Sequence, residues 1–276
     1  MARLIITVIC IFVSTSCALA FTRIGIDQNI TIYVDLTLQE SGDCLTWETA
    51  CNTDQDAIDL VATRYDLGGK TATILRKANQ TGTSNLRVYP FIGAGGSAVI
   101  FDFNGGGISV QSGSAIANYV GPGTTHVIFQ GGTLHTSDPN GYCVLWQVSG
   151  KLYLDPTMVY AGCGQAAIAS AAGGSIVQIG TALRIAGNAT HILLASSGGM
   201  IYGTDATTWV VFTNNPSISF YARMIEVAGI QTLNWYYSGY ASITYRCYAT
   251  KGGHFMFSGA TPPGSYAYND ASSTCQ

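Results

Sequence analysis

Apolar and polar positions along this chain follow two different rhythms. In 53–69 the apolar residues Ala57, Ile58, Val61, Ala62 and Tyr65 recur at helical spacing and form one face. Thr53 is placed to cap the N-terminus, Asp54 and Asp56 complement the dipole there, and Gly68 or Gly69 offers a left-handed stop. Ahead of this helix, 30–36 alternates and is β-branched, which predicts a strand. After Gly69 the helical period disappears. Short apolar and β-branched runs then alternate with glycine corners, and no second helix emerges.

Those glycine corners repeat. "QGGTLHT", "VSGKLYL", "AGGSIVQ", "SGGMIYG", "VAGIQTL" and "KGGHFMF" place anchors at Gly132, Gly150, Gly174, Gly199, Gly229 and Gly253, with steps of 18, 24, 25, 30 and 24. Two residues beyond them stand Leu134, Leu152, Ile176, Ile201, Gln231 and Phe255, of which only Gln231 is polar. Coils of that length cannot bury their apolar side alone, so they stack and share a core. Strands stacked about 4.8 Å apart suit small and β-branched residues in columns. An antiparallel sandwich or barrel is the alternative, but it calls for frequent Asn-Gly or Asp-Gly hairpins. Only Asn104-Gly105 and Asn140-Gly141 supply them. The expected fold is therefore all-β, a parallel β-helix (solenoid) with an N-terminal capping α-helix. It divides into a signal peptide at 1–20, a strand and capping helix at 21–69, and the β-helix body at 70–276.

The signal peptide is read from Arg3, the apolar run 4–13 and the small residues Ala18 and Ala20, with Phe21 the expected mature start. A lipoprotein reading of Cys17 meets Ser14 where a large aliphatic residue belongs. No later segment is long and apolar enough to span a bilayer, so a secreted, extracellular or periplasmic protein is expected. Export changes the meaning of the cysteines. Cys10 and Cys17 leave with the signal, and Cys44, Cys51, Cys143, Cys163, Cys247 and Cys275 remain. Fifteen connectivities are open to six cysteines, and pairing neighbours along the chain is preferred: Cys44 with Cys51, Cys143 with Cys163, Cys247 with Cys275. Metal binding is a poor rival, since no CxxC spacing occurs. The expectation is no metal and no cofactor.

Charge divides the chain. Nine of the fifteen acids fall in 27–66, while 88–150 holds no Lys or Arg. Without Arg3, eleven basic residues face fifteen acidic ones, a net charge of −4. Nothing here resembles the basic footprint of a nucleic-acid binder.

The acidic part also carries a resemblance. Tyr33-Val34-Asp35, Gly42-Asp43, Leu45-Thr46, Ala57-Ile58-Asp59, Asp66-Leu67-Gly68-Gly69 and Thr71-Ala72-Thr73-Ile74 follow one another in order. In this it resembles the N-terminal segment of right-handed parallel β-helix proteins of the bacteriophage tail-fibre or tailspike-like kind, over roughly the first fifty mature residues. The glycine-rich coils are loosely similar to those and to polysaccharide-lyase-like β-helices. The resemblance implies the architecture and, for a fibre module, a homotrimer. The signal peptide and the cysteines depart from a virion part and favour an exported cellular relative.

Candidate chemistry is sparse. Asp138 lies six residues after Gly132, Asp155 five after Gly150 and Asp205 six after Gly199, while Gly180 interrupts this column; Asp102 extends it if Gly96 is also an anchor. A polysaccharide lyase or glycosidase would use such carboxylates on a coil face, with calcium under the lyase alternative alone. The bland reading is that each Asp ends a strand and hydrogen-bonds its own turn. Arg184, Arg223 and Arg246 share no offset from their anchors, and His126, His135, His191 and His254 read as outward strand residues. Aromatic residues are the better signal. Trp146, Trp209, Trp235, Tyr236, Tyr237 and Tyr240 suit stacking on a polysaccharide or cell-surface glycan; the alternative is that half of them simply fill the core. Consecutive strand residues cannot all face inward, so at least one of Trp235, Tyr236 and Tyr237 is expected outside. The reading that follows is a secreted β-helix surface protein with a structural or glycan-binding role. The alternatives are an enzyme on a coil face and an oligomeric fibre module.

Overall fold

From Ile30 onward, strand is laid on strand in parallel. The computed structural model describes residues 23–118, 125–147, 150–173, 175–204 and 207–275. They wind through about seven turns of a parallel β-solenoid. Each turn crosses three faces. The first face includes Ile30–Val34, Thr71–Arg76, Ala98–Asp102, His126–Gln130, Gly150–Leu154, Ser175–Ile179, Met200–Gly203 and His254–Gly259. The second includes Thr133–Thr136, Ala182–Ile185 and Thr208–Phe212. The third includes Leu86–Val88, Tyr142–Trp146, Ala189–Ser196, Ser217–Ile225, Ser242–Thr250 and Tyr266–Asn269. Val159–Ala171 runs from the second face to the third, and Gly229–Ser238 from the first to the second.

Period-two alternation puts one column of each face inside. On the first face Leu152, Val177, Ile201, Ile230 and Phe255 are register partners, and all are buried. This corrects the column expected two residues beyond the glycines. Ile176 pairs with Lys151 and Gln231 with Tyr202, and both lie on the outer side. The cause is a one-residue slip: Leu152, Ile201 and Phe255 stand two residues beyond Gly150, Gly199 and Gly253, whereas Gly229 is itself the register partner of Met200 and His254, so Gln231 falls one place later, and one residue moves a side chain to the other face. Gly132 is out of phase altogether, because it leads into the second-face strand Thr133–Thr136. That explains the short step of 18.

Inside, large side chains need small neighbours on the next rung. A Cβ added to Gly203 would sit 2.3 Å from Nε1 of Trp235, an indole that is fully buried. Phe101, Phe103 and Phe129 pack against each other nearer the N-terminus.

The N-terminal end is closed by the helix Asp54–Arg64. Thr53 caps it by accepting from the Asp56 backbone N–H, as its position predicts. The helix stops at Arg64, not at Gly68 or Gly69: Tyr65 is already extended, and Tyr65–Asp66 pairs with Ile24–Gly25. Gly68 and Gly69, both at positive φ, turn the chain into the next first-face strand instead. The helix serves the sheet edge directly. The Gln55 side chain accepts from the Arg87 N–H (2.8 Å) and donates to the Arg87 carbonyl (2.9 Å), completing the ladder of Leu86–Val88. Asp54 is mostly buried and forms a two-pronged ion pair with Arg76, whose guanidinium lies 4.7 Å from the Phe103 ring centroid.

Three disulfides join the cysteines neighbour to neighbour: Cys44–Cys51, Cys143–Cys163 and Cys247–Cys275, with Cα separations of 4.8, 5.3 and 6.1 Å. Cys143–Cys163 crosses between adjacent coils, though the two are not register partners. A bulge between Cys163 and Ala166 brings them together. Among the described residues no helix is long and apolar enough to cross a membrane. The expected signal peptide at 1–20 lies outside the described residues.

Candidate functional site

The aspartates are turn-builders. Oδ1 of Asp102 accepts from Asn104 N–H, that of Asp138 from Asn140 N–H, and that of Asp155 from Thr157 N–H, each two residues on. Asp138 also takes the Gly113 N–H, and these two backbone donors hold its carboxyl below the usual range, the opposite of what a general acid needs. The expected column is not assembled. Asp102 pairs in register with Gln130 at the end of the first face, and Asp155 N–H bonds the Phe129 carbonyl on that same corner. Asp138 stands at the corner after the second face, because its anchor Gly132 was out of phase. Asp205 lies outside the described residues. No group of three or more His, Cys, Asp or Glu among the described residues is placed to hold a metal ion.

The aromatic candidates separate sharply. Trp146 and Trp235 are core residues: Trp146 donates through Nε1 to the Gly150 carbonyl (3.1 Å), and Trp235 has no exposed surface. Tyr237 points inward as well. Its hydroxyl donates to that of Tyr221 (3.2 Å), and burial pushes its pKa up to about 12. These three cannot form a surface platform. Trp209 and Tyr236 can. They are register partners on adjacent coils of the second face, 47% and 40% exposed, with ring centroids 5.5 Å apart and planes inclined by 34°. On the preceding coil their place is held by Ala182, which leaves a step beside the indole.

A polar groove of about 570 Å³ follows the corner between the second and third faces. His135, Asn188, Thr190, Asn214, Ser217 and Ser219 contribute to its walls. Gly187 lines it too, and only glycine fits there, since a Cβ would meet the Ala161 carbonyl at 1.9 Å. Beyond the groove the third face carries aromatic columns that sequence reasoning missed. Phe220, Tyr245 and Tyr266 are register partners, as are Tyr248 and Tyr268. The signal was present: a step of 25 residues separates both Phe220 from Tyr245 and Arg223 from Tyr248, and "SYAYN" spaces Tyr266 and Tyr268 for one side of a strand. It is masked in the sequence because the glycine corners repeat more visibly than the aromatic positions between them.

The histidines differ from one another too. His126 and His254 are exposed, but His191 is fully buried beneath its neighbours. Its Nδ1 hydrogen-bonds the Gln165 carbonyl (2.8 Å), and burial pushes its pKa down to about 4.

No family model matches the chain, and no curated protein or solved structure matches it either.

Proposed function

We propose that this is an exported β-helix surface protein that binds glycans on the second face, through Trp209 and Tyr236. One observation carries the reading: two large aromatic rings stand exposed, in register and side by side on adjacent coils of the second face, while Trp146 and Trp235 are buried. Aromatic faces pack against the C–H faces of sugar rings, and the indole N–H and phenol O–H bond their hydroxyls. The two rings lie on adjacent coils about 4.8 Å apart, a platform longer than one ring that suits an extended saccharide rather than a small metabolite. Three disulfides and the apolar leader at the N-terminus favour an oxidising compartment. The tail-fibre resemblance supports a cell-surface or fibre setting for the same activity.

A glycan-array screen of the chain lacking residues 1–20 tests the proposal. Specific retention of at least one polysaccharide class, lost in Trp209→Ala and Tyr236→Ala, is the expected result. Retention unchanged in both variants would remove the second face from consideration.

A further inference from the structure

On the third face, two outward columns meet around one cation. His191, Phe220, Tyr245 and Tyr266 are register partners on successive coils, and Leu194, Arg223, Tyr248 and Tyr268 run beside them. The Phe220 and Tyr245 rings stack at 4.9 Å and 15°, and those of Tyr248 and Tyr268 at 4.8 Å and 16°. The Arg223 guanidinium carbon lies 5.8 Å from the Phe220 centroid and 5.4 Å from that of Tyr248.

Among the described residues no carboxylate pairs with that guanidinium. The ion pairs among the described residues are Arg76–Asp54, Lys77–Asp35 and Lys251–Glu226. Arg223 Nη1 instead faces Nε2 of His191 (3.3 Å), and Nε is buried without an acceptor. With its Nδ1–H given to the Gln165 carbonyl, the imidazole presents a lone pair and no charge to the guanidinium. Phe220 stacks on the imidazole, with ring centroids 5.0 Å apart. The result is one partly desolvated positive charge, without a counter-charge, inside a frame of aromatic rings. Burying charge without a partner is costly, and packing does not require it here, because Leu194 fills the equivalent place one coil earlier. At the outer end of the frame Tyr266 and Tyr268 are 62% and 48% exposed.

We propose that this patch is a second binding site, for a saccharide whose ring carries a carboxylate or a sulfate. The planar fork of Arg223 takes the anionic group in a paired, charge-assisted geometry. The sugar ring lies against Tyr268 and Tyr266. Neutral His191 accepts from Arg223 Nη1 and holds the fork in orientation, so it is a positioning residue. The site lies on a different face from Trp209 and Tyr236 and does not rest on them.

Isothermal titration of the chain lacking residues 1–20 tests this, with three probes at one ionic strength: tetragalacturonate, a chondroitin sulfate tetrasaccharide and cellotetraose. At least one acidic probe is expected to bind roughly tenfold or more tighter than cellotetraose. Arg223→Gln should remove that preference and Tyr268→Ala should weaken the acidic probe, while Trp209→Ala leaves it unchanged. If Arg223→Gln loses its near-ultraviolet circular dichroism, Arg223→Lys and Tyr268→Ala carry the test. Lysine keeps the charge without the fork, and a several-fold loss is expected. Acidic probes that bind no better than cellotetraose would overturn the proposal. So would wild-type affinity in both Tyr268→Ala and an Arg223 variant, or equal competition by inorganic sulfate.

Discussion

The two ends of the solenoid use polar and aromatic side chains for opposite purposes. At the N-terminal end, side chains finish what the backbone cannot. Gln55 stands in for a missing strand, Asp54 and Arg76 tie the helix to the first coils, and Asp35 is held by Lys77, Thr37 and Gln80. Although burial raises it, these bonds keep the Asp35 carboxyl well below the usual range. Each end also carries a disulfide, Cys44–Cys51 at the first and Cys247–Cys275 at the last, but at the C-terminal end the aromatic residues Tyr266 and Tyr268 are left standing on the outside. A parallel edge has to be closed at both ends. Here the N-terminal closure consumes Gln55, Asp54, Arg76 and Asp35 in structure, whereas the last coils keep Tyr266 and Tyr268 on the surface.

Breaking the N-terminal closure should have the largest effect. Arg76→Met strands the Asp54 carboxylate inside the core, and loss of one partner from a buried pair costs about 3–5 kcal/mol. Urea unfolding should show that loss. Arg76→Met with Asp54→Leu should recover much of it, because burial alone already pushes the Asp54 carboxyl up.

Removing the C-terminal disulfide comes next. Cys247→Ser with Cys275→Ser opens a loop of 28 residues, for which chain entropy gives about 3–4 kcal/mol. Hydrogen exchange should rise in His254–Gly259 and Tyr266–Asn269 and stay low around the helix. Equal protection loss at both ends would contradict the division between them.

A smaller effect concerns pH. His191 titrates near 4 in the fold, against about 6.5 when unfolded. Between those values the unfolded chain binds more protons, so stability is full above pH 6.5 and is lost as pH falls toward 4. The loss is roughly 2–3 kcal/mol. Melting temperature followed from pH 7 to 4 should fall in the native chain and stay nearly level over that window in His191→Gln. Asp35 and Asp270, both held low, contribute only below that range, so the two ends respond to acid in a lower window than His191 in the middle coils.

The sequence showed the architecture because solenoid coils repeat, and repetition survives a misplaced ruler. Steps near 25 residues, the neighbour-paired cysteines and the Thr53 cap were all legible in local chemistry. Phase was not. Whether Gly132 or Gly150 opens a coil depends on which corner each glycine turns, and Asp138 was assigned to the wrong corner for that reason. Burial of aromatics was only half legible as well. "NWYY" requires one ring outside, yet which one depends on the register of the coil below, where Val210 places Tyr237 inside and Trp209 places Tyr236 outside. The Asp54–Arg76 pair was invisible because it joins two residues through the core rather than along a column.

Trp209 is the ring expected to meet the ligand. It is an exposed tryptophan, whereas Trp146 and Trp235 are buried. The direct measurement is acrylamide quenching of tryptophan fluorescence, with and without a saturating polysaccharide selected by the array. Ligand should lower the quenching constant of the native chain and leave that of Trp209→Phe unchanged. Undiminished quenching of the native chain at saturation would contradict a sugar seated on that indole.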